Sequence, residues 1–279
     1  MPELPEVETI KRDLQKKIIG KKIKEVTIKV NKILQKPSLE EFTAKIRGRV
    51  IKKIDRRGKY IIIYLDSEYK LIIHLGMTGI LLYPFNQIKN NLIIPKHNHF
   101  VFSFTDNNQL IFNDIRRFGK VYLVKDINES ECINKLGVEP LDENFSLAKF
   151  TQMIRNKKNK IKSLLMKQEF IAGLGNIYVN EVLYRAGIHP LSLASSLSEI
   201  QITKLFREIK DVLEEAINLR GSTVEDEAYR DTNGEKGKFS DRLQVYAQKG
   251  SSCFKCGHII ESVKIEGRSS FFCPRCQKL

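Results

Sequence analysis

The chain has 279 residues, 42% hydrophobic and 29% charged, which excludes wholesale disorder and a collagen-like fibre and suits one large domain or two ordinary ones. Lys and Arg number 48 against 33 Asp and Glu, a net charge of +15, and a field of that sign draws the chain towards polyanions. The excess is uneven: residues 1–60 carry +10, 61–150 carry −1, 151–190 carry +5, 191–242 carry −3 and 243–279 carry +4. Coding bias towards Lys and Ile would spread the excess evenly, so three basic blocks argue for a functional polyanion surface.

Residues 5–17 predict an amphipathic helix, with Pro5 early and Val7, Ile10 and Leu14 at helical spacing. Short runs at 22–30, 46–55, 60–66, 70–75, 79–83, 99–105, 109–113 and 119–124 are rich in Ile, Val, Tyr and Phe and separated by Gly, Asn and Asp. They predict a β-sandwich or barrel of about eight strands. Gly137 and Pro140 mark a linker, and helical periodicity follows at 146–156, 174–186 and 198–219. Residues 221–242 are polar and aperiodic and read as a long loop, a length that usually serves function.

Four of the five cysteines form Cys253-x2-Cys256 and Cys273-x2-Cys276, sixteen residues apart. That is the spacing of two knuckles around one zinc, with a hairpin between them. A redox pair normally stands alone beside a βαβ unit, and disulfides do not suit a reducing compartment. Four thiolates leave no open position for water, so the expected zinc is single and structural. Cys132 remains, read as a small buried hydrophobe. No apolar run is long enough to span a bilayer, and the acidic opening lacks the regions of a signal peptide, so a cytoplasmic location is expected.

Pro2 is small enough to favour removal of Met1, which would expose a secondary amine beside Glu3. An α-amino group titrates near neutrality, and addition to a sugar C1′ would give an iminium electron sink, with a carboxyl group nearby for proton transfer. Composition alone still favours simple processing.

The opening MPELPEVET, RRGKY (56–60), HLGMTG (74–79), DIRRFG (114–119), GLGNIYVNEVLYRAGIHP (173–190) and the tail CFKCG…GRSSFFCPRCQ together resemble bacterial formamidopyrimidine-DNA glycosylase, in order and from residue 1 to 277. The resemblance implies an α+β fold: an N-terminal β-sandwich with flanking helices, a helix–two-turn–helix segment and a four-cysteine zinc hairpin. The implied organisation is a catalytic sandwich at 1–130, a linker at 131–145, a DNA-binding domain at 146–222, a lesion-capping loop at 223–242 and the zinc finger at 243–279. The implied activity is removal of 8-oxoguanine and formamidopyrimidines from duplex DNA, then cutting of the abasic strand by β,δ-elimination. The implied setting is a monomer at the bacterial nucleoid.

By the same resemblance Pro2 is the nucleophile, Glu3 the adjacent general acid, Lys59 the proton donor in β-elimination and Arg268 the arginine of δ-elimination. From chemistry alone Lys59 reads as a solvated strand-edge lysine, and a guanidinium at Arg268 suits phosphate gripping equally well. Met77, Arg116 and Phe118 match side chains that enter the duplex when the lesion leaves the stack. Flanking glycines place them on exposed loop tips rather than in a core. Asn176, Lys157, Lys162 and His97 match phosphate or DNA contacts. Asn176 follows Gly173-Leu174-Gly175 at an expected helix start, where free N–H groups face an anion. Tyr178 stands where a dinucleotide fingerprint would need a third glycine.

One segment departs from the pattern: Glu225-Asp226-Glu227 is an acidic cluster in the capping loop, unhelpful beside DNA unless it faces solvent. Two other readings stand beside the oxidised-purine enzyme. An endonuclease VIII-type enzyme for oxidised pyrimidines tends to begin PEGPE, where this chain has Leu4. A non-enzymatic zinc-finger nucleic-acid binder would have no use for Pro2, Glu3, Lys59 and Arg268 together.

Overall fold

The computed structural model describes residues 1–85, 95–224 and 229–279. It divides into two compact units, one of residues 1–135 and 217–240, the other of 136–216 and 241–279. Among the described residues no helix is long and apolar enough to cross a membrane.

The first unit opens with α1 (Leu4–Ile18), whose buried stripe is Leu4, Val7, Ile10, Leu14 and Ile18. Pro5 in its first turn and Lys16 and Lys17 in its last suit the helix ends. Among the described residues nine strands follow: β1 (Ile23–Ile28), β2 (Leu34–Lys36), β3 (Ile51–Arg57), β4 (Tyr60–Leu65), β5 (Lys70–His74), β6 (Gly79–Leu82), β7 (Asn98–Phe104), β8 (Gln109–Asp114) and β9 (Lys120–Val124). They form a four-stranded sheet, β1-β7-β8-β6, and a five-stranded sheet, β2-β9-β5-β4-β3. Phe100, Phe102 and Phe112 of the first sheet and Ile61, Ile63, Leu71 and Ile73 of the second share one core with Val7, Ile10 and Leu14 of α1. The intervening Ile62 and Ile72 point the other way, into a second cluster with Tyr122, Val124 and Ile133. The five-stranded sheet is thus apolar on both faces, which explains its continuous rather than alternating Ile-rich runs.

Two sequence expectations fail between residues 29 and 50. The run 46–55 is not one strand, because α2 (Leu39–Ile46) occupies its first residue and a turn at 47–50 pairs back onto residues 20–23. The Ser38 hydroxyl caps α2 by accepting the Glu41 N–H, and Phe42 and Ile46, four apart, drive the helix into the core. Strand β2, which runs parallel to β9, was not anticipated, and three residues leave too little periodicity to reveal it. Cys132 is half-buried, on the short helix α3 (Glu131–Asn134), with its Sγ 3.8 Å from the Tyr122 hydroxyl rather than enclosed as a core hydrophobe.

The second unit contains α4 (Leu147–Ile154), α5 (Ile161–Met166), α6 (Asn176–Ala186), most of α7 (Glu199–Asn218), and the antiparallel pair β10 (Glu261–Ile265) and β11 (Arg268–Phe272). Gly187, with φ of 73°, ends α6 in the left-handed region. Phe145, Phe150 and Phe206 pack ring to ring against one another. Helix α5 was missed by the sequence reading, since six residues with a lysine among them give no clear period.

The segment after α7 is not a free loop along its length. Phe239 N–H donates to Gly221 O and Lys238 N–H to Leu219 O, which closes its base. The acidic cluster Glu225-Asp226-Glu227 lies outside the described residues.

Candidate active site

Helix α1 begins at the N-terminal tip, so Pro2 and Glu3 sit where its free N–H groups gather. Both are buried, Glu3 to 2% exposure. The Glu6 carboxylate receives two backbone donors: Glu3 N–H at 2.7 Å on Oε2 and Ser222 N–H at 2.7 Å on Oε1. Gly221, with φ of 80°, is required there, because a Cβ would fall 2.7 Å from Glu6 Oε1.

Two residues further along α1, Glu8 accepts from Lys11 and Arg12 at 2.8 Å and from Arg56 at 3.0 Å. Burial alone would raise the Glu8 carboxyl, but these three cations outweigh it and hold it below the usual range. Arg56 also donates to Gly58 O at 2.9 Å, which ties the β3–β4 turn, and with it the buried Lys59, to α1. His74 lies against Tyr60, the residue after Lys59, with ring centroids 4.7 Å apart. Burial, then the charges of Lys59 and Lys120, push His74 down to about 4, so it is neutral at physiological pH. Its Nδ1 accepts the Gly76 N–H at 3.1 Å, which leaves the proton on Nε2. Sequence reasoning quoted the HLGMTG motif and gave His74 no role; its place at the head of that motif was the available signal.

Two turns carry Met77, Arg116 and Phe118, and Asp114 joins them. Asp114 is fully buried; its Oδ1 accepts from the Thr78 hydroxyl at 2.6 Å and its Oδ2 from Gly119 N–H at 2.8 Å. Thr78 Oγ1 in turn accepts the Arg116 N–H at 3.0 Å. The backbones touch as well: a Cβ on Gly76 would lie 2.5 Å from the Phe118 carbonyl carbon. Arg117 takes φ of 57° between the two presented side chains. Phe118 is 51% exposed, with the Arg116 guanidinium 4.8 Å above its ring, and Met77 is half-buried on the facing turn. Arg116 and Phe118 thus form a stacked cation–ring pair outside the core, with Met77 on the facing turn. Thr78 and Asp114, which hold it, were not singled out from sequence.

His97 is half-buried near His99, their rings 6.2 Å apart. Burial, then Lys96 and His99, lowers its pKa.

In the second unit Asn176 begins α6 behind Gly175, as the glycine run implied, and Lys157 is exposed. Lys162 is different. It is 1% exposed, and its Nζ donates to Ser269 O at 2.9 Å and Ser270 Oγ at 2.7 Å. Its charge lies under β11, so the expectation of a surface phosphate contact is replaced by a bracing role. Asn180 helps by accepting the Phe271 N–H at 2.7 Å, and the Glu181 carboxylate accepts three N–H groups, from Gln244, Val245 and Tyr246. Glu266 and Gly267, both at positive φ, make the tight β10–β11 turn and leave Arg268 exposed directly after it.

The four cysteine sulfurs lie within 4.8 Å of one another, with Cys253–Cys276 at 3.9 Å and Cys256–Cys273 at 3.5 Å. Sulfurs at tetrahedral corners around a zinc would stand about 3.8 Å apart, so the set fits that ion closely. Among the described residues it is the one cluster of this kind. Tyr184 Oη lies 3.1 Å from Cys253 Sγ; burial would raise that thiol, but the hydroxyl and the knuckle amides bring it down to about 6, whereas burial pushes Cys273 up and Cys276 up to about 12.

Comparison with known proteins places the chain in a family. Residues 1–121 match the formamidopyrimidine-DNA glycosylase N-terminal domain, 136–228 its H2TH domain, and 250–279 the zinc finger found in FPG and IleRS. A formamidopyrimidine-DNA glycosylase of Pelotomaculum thermopropionicum is 44% identical over the whole of both chains. The chain belongs to the formamidopyrimidine-DNA glycosylase family. Among solved structures, a Lactococcus lactis FPG variant in complex with Fapy-dG-containing DNA superposes with a TM-score of 0.90 at 36% identity, covering all of both chains. A MutM complex with DNA containing carbocyclic 8-oxo-G does so at 0.87, also at 36% identity over both full chains. As a family member the chain is a DNA glycosylase of damaged DNA with a structural zinc finger.

Proposed function

We propose that this glycosylase releases 8-oxoguanine and formamidopyrimidines from duplex DNA through a Schiff base on Pro2, then cuts the abasic strand by β,δ-elimination at the nucleoid. The observation that carries the reading is the N-terminal tip, where Pro2 immediately precedes a buried carboxyl at the start of a helix anchored by Glu6 and Glu8. Removal of Met1 turns the Pro2 nitrogen into a secondary amine. It attacks C1′ as the damaged base departs with the glycosidic electron pair, and the sugar ring opens to an imine. Glu3 gives the proton that the ring oxygen takes up. The imine then acidifies C2′, so the 3′ phosphate leaves in the first elimination, with Lys59 handling protons. Arg268 serves the second elimination at the 5′ phosphate. Met77, Arg116 and Phe118 fill the gap left by the everted nucleotide, which costs a few kcal/mol to unstack. Lys157, His97 and the N–H groups at Asn176 take phosphates, while Lys162 acts by fixing the strand after Arg268.

Borohydride reduction during turnover of an 8-oxoguanine duplex is expected to leave a stable covalent complex with Met1-free protein. Absence of that adduct would overturn the Pro2 mechanism. Arg268→Ala is expected to keep base release within a few-fold while strand cutting stalls after the first elimination; equal loss of both steps would assign Arg268 to binding.

A further inference from the structure

Where α7 ends, the chain reverses through two consecutive residues at positive φ, Arg220 at 63° and Gly221 at 80°. Glycine takes that conformation freely and arginine does not. The Arg220 side chain supplies what glycine would lack. Its guanidinium donates from NH2 to Asp13 Oδ2 at 2.6 Å and from Nε to Asp231 Oδ2 at 2.8 Å. Asp13 belongs to α1; Asp231, 1% exposed, belongs to the returning half of the segment. The Thr232 hydroxyl donates to the same Asp13 oxygen at 3.0 Å, and Lys17 Nζ reaches Thr232 Oγ1 at 2.9 Å and the Tyr83 carbonyl at 3.3 Å. Asp231 Oδ1 accepts from the Asn233 and Glu235 N–H groups, which fixes the turn beyond it.

We propose that Arg220 is a positioning residue for base excision: with Lys17, Asp13 and Asp231 it forms a balanced cluster of two cations and two carboxylates that fixes residues 220–222 and 231–235 on α1. The proposal rests on Pro2 and Glu3 being the reacting groups. The link to them is short. Ser222, two residues after Arg220, donates to Glu6 Oε1, and the other oxygen of Glu6 holds the Glu3 N–H. A displaced segment therefore disturbs the first turn of α1, and reacting groups tolerate little displacement.

Every charged or titratable group around the cluster bears on the test. From α1 these are Asp13, Lys17 and, near Tyr229, Glu6; from the segment they are Arg220, Asp231 and the Tyr229 phenol. Burial and then the Glu6 charge keep that phenol protonated. Removing Arg220 leaves Asp13 and Asp231, which converge on one guanidinium nitrogen, with Lys17 as their remaining cation. Left without the guanidinium, the two carboxylates repel each other, and the segment loses its fork to α1.

The test is the single-turnover rate of base release from an 8-oxoguanine duplex, with duplex affinity measured alongside. Arg220→Gly, which suits the backbone, is expected to lose about tenfold or more in rate at about pH 8 while affinity stays within about threefold. Adding Asp13→Asn restores the rate, and Arg220→Lys, with one cation but no fork, lies between. An unchanged Arg220→Gly rate, a parallel loss of affinity, or a double variant no faster than the single overturns the proposal; if Arg220→Gly fails to fold, the Arg220→Lys and double variants decide it. An unsubstituted enzyme with no activity on this duplex would instead overturn the oxidised-purine reading, and one that leaves no borohydride adduct would overturn the Pro2 reading.

Discussion

The turn pair that carries Met77, Arg116 and Phe118 grows out of two sheets sharing one apolar core, whereas the hairpin that carries Arg268 has two strands and packs on five buried residues, two of them cysteines. In the first unit apolar burial supplies the rigidity, and one buried carboxylate, Asp114, aligns the backbone of the turns. In the second unit a metal-sized sulfur cluster and polar braces substitute for a core: Lys162 under Ser269 and Ser270, Asn180 under Phe271, and Gln277, whose amide donates to Ile188 O at 2.9 Å. A small hairpin cannot bury enough surface to hold an arginine still, so it borrows energy from coordination and from buried charge.

Metal removal should separate the two regions most sharply. Structural zinc contributes roughly 10–16 kcal/mol in small zinc domains, far more than the braces can replace. Chelation in a verified metal-free sample is expected to abolish amide protection in β10 and β11 together with duplex binding, and to leave the protection of β4, β5 and β9 intact. Hydrogen exchange read by strand checks this; retained protection in β11 would mean that Lys162 and Asn180 suffice.

The counterpart in the first unit is Asp114→Ala. It deletes the acceptor shared by Thr78 and Gly119 and leaves their donors buried, for a stability loss of about 2–3 kcal/mol. With the turns no longer joined, base excision should fall about a hundredfold, since a displacement of about 1 Å can cost that much. Thr78→Val, which removes one bond of the set, should lose less of both. Equal rates in all three proteins would show that Met77, Arg116 and Phe118 need no alignment before DNA arrives.

The same contrast governs what could be read from sequence. Helix α1 was legible because Val7, Ile10 and Leu14 sit at helical spacing, and the sulfur cluster because two CxxC knuckles at that separation have few other uses. Strands β4 and β5 were legible as Ile-rich runs. Lys162 was misplaced because a lysine in a basic block reads as surface, and its burial depends on a strand 107 residues away. Asp114 and Arg220 were passed over for a related reason. A lone carboxylate or guanidinium declares nothing until the backbone donors and carboxylates that surround it are known. The missed α2 and β2 are short, and only Pro37 and Ser38 separate them.

The smallest expected effect tests whether the first unit's polar sites contribute to stability as well as to alignment. His74 is held neutral down to about pH 4 by burial, Lys59 and Lys120, whereas an unfolded histidine titrates near 6.5. Between those values the unfolded chain binds a proton that the folded chain refuses, so stability falls as the pH drops through that window. The full shift corresponds to about 3 kcal/mol, and partial exposure of the ring reduces the expected loss to about 2 kcal/mol. Glu8 does not confuse the measurement. Its carboxyl is held below the usual range, so its stabilising contribution is present throughout the window and is lost only at lower pH. His74→Gln should therefore flatten the difference in denaturant-derived stability between about pH 7 and pH 5, while the unsubstituted protein keeps it. A variant that retains the full pH slope would place the titrating group elsewhere, and would mean that Lys59 and Lys120 leave the folded imidazole free to charge.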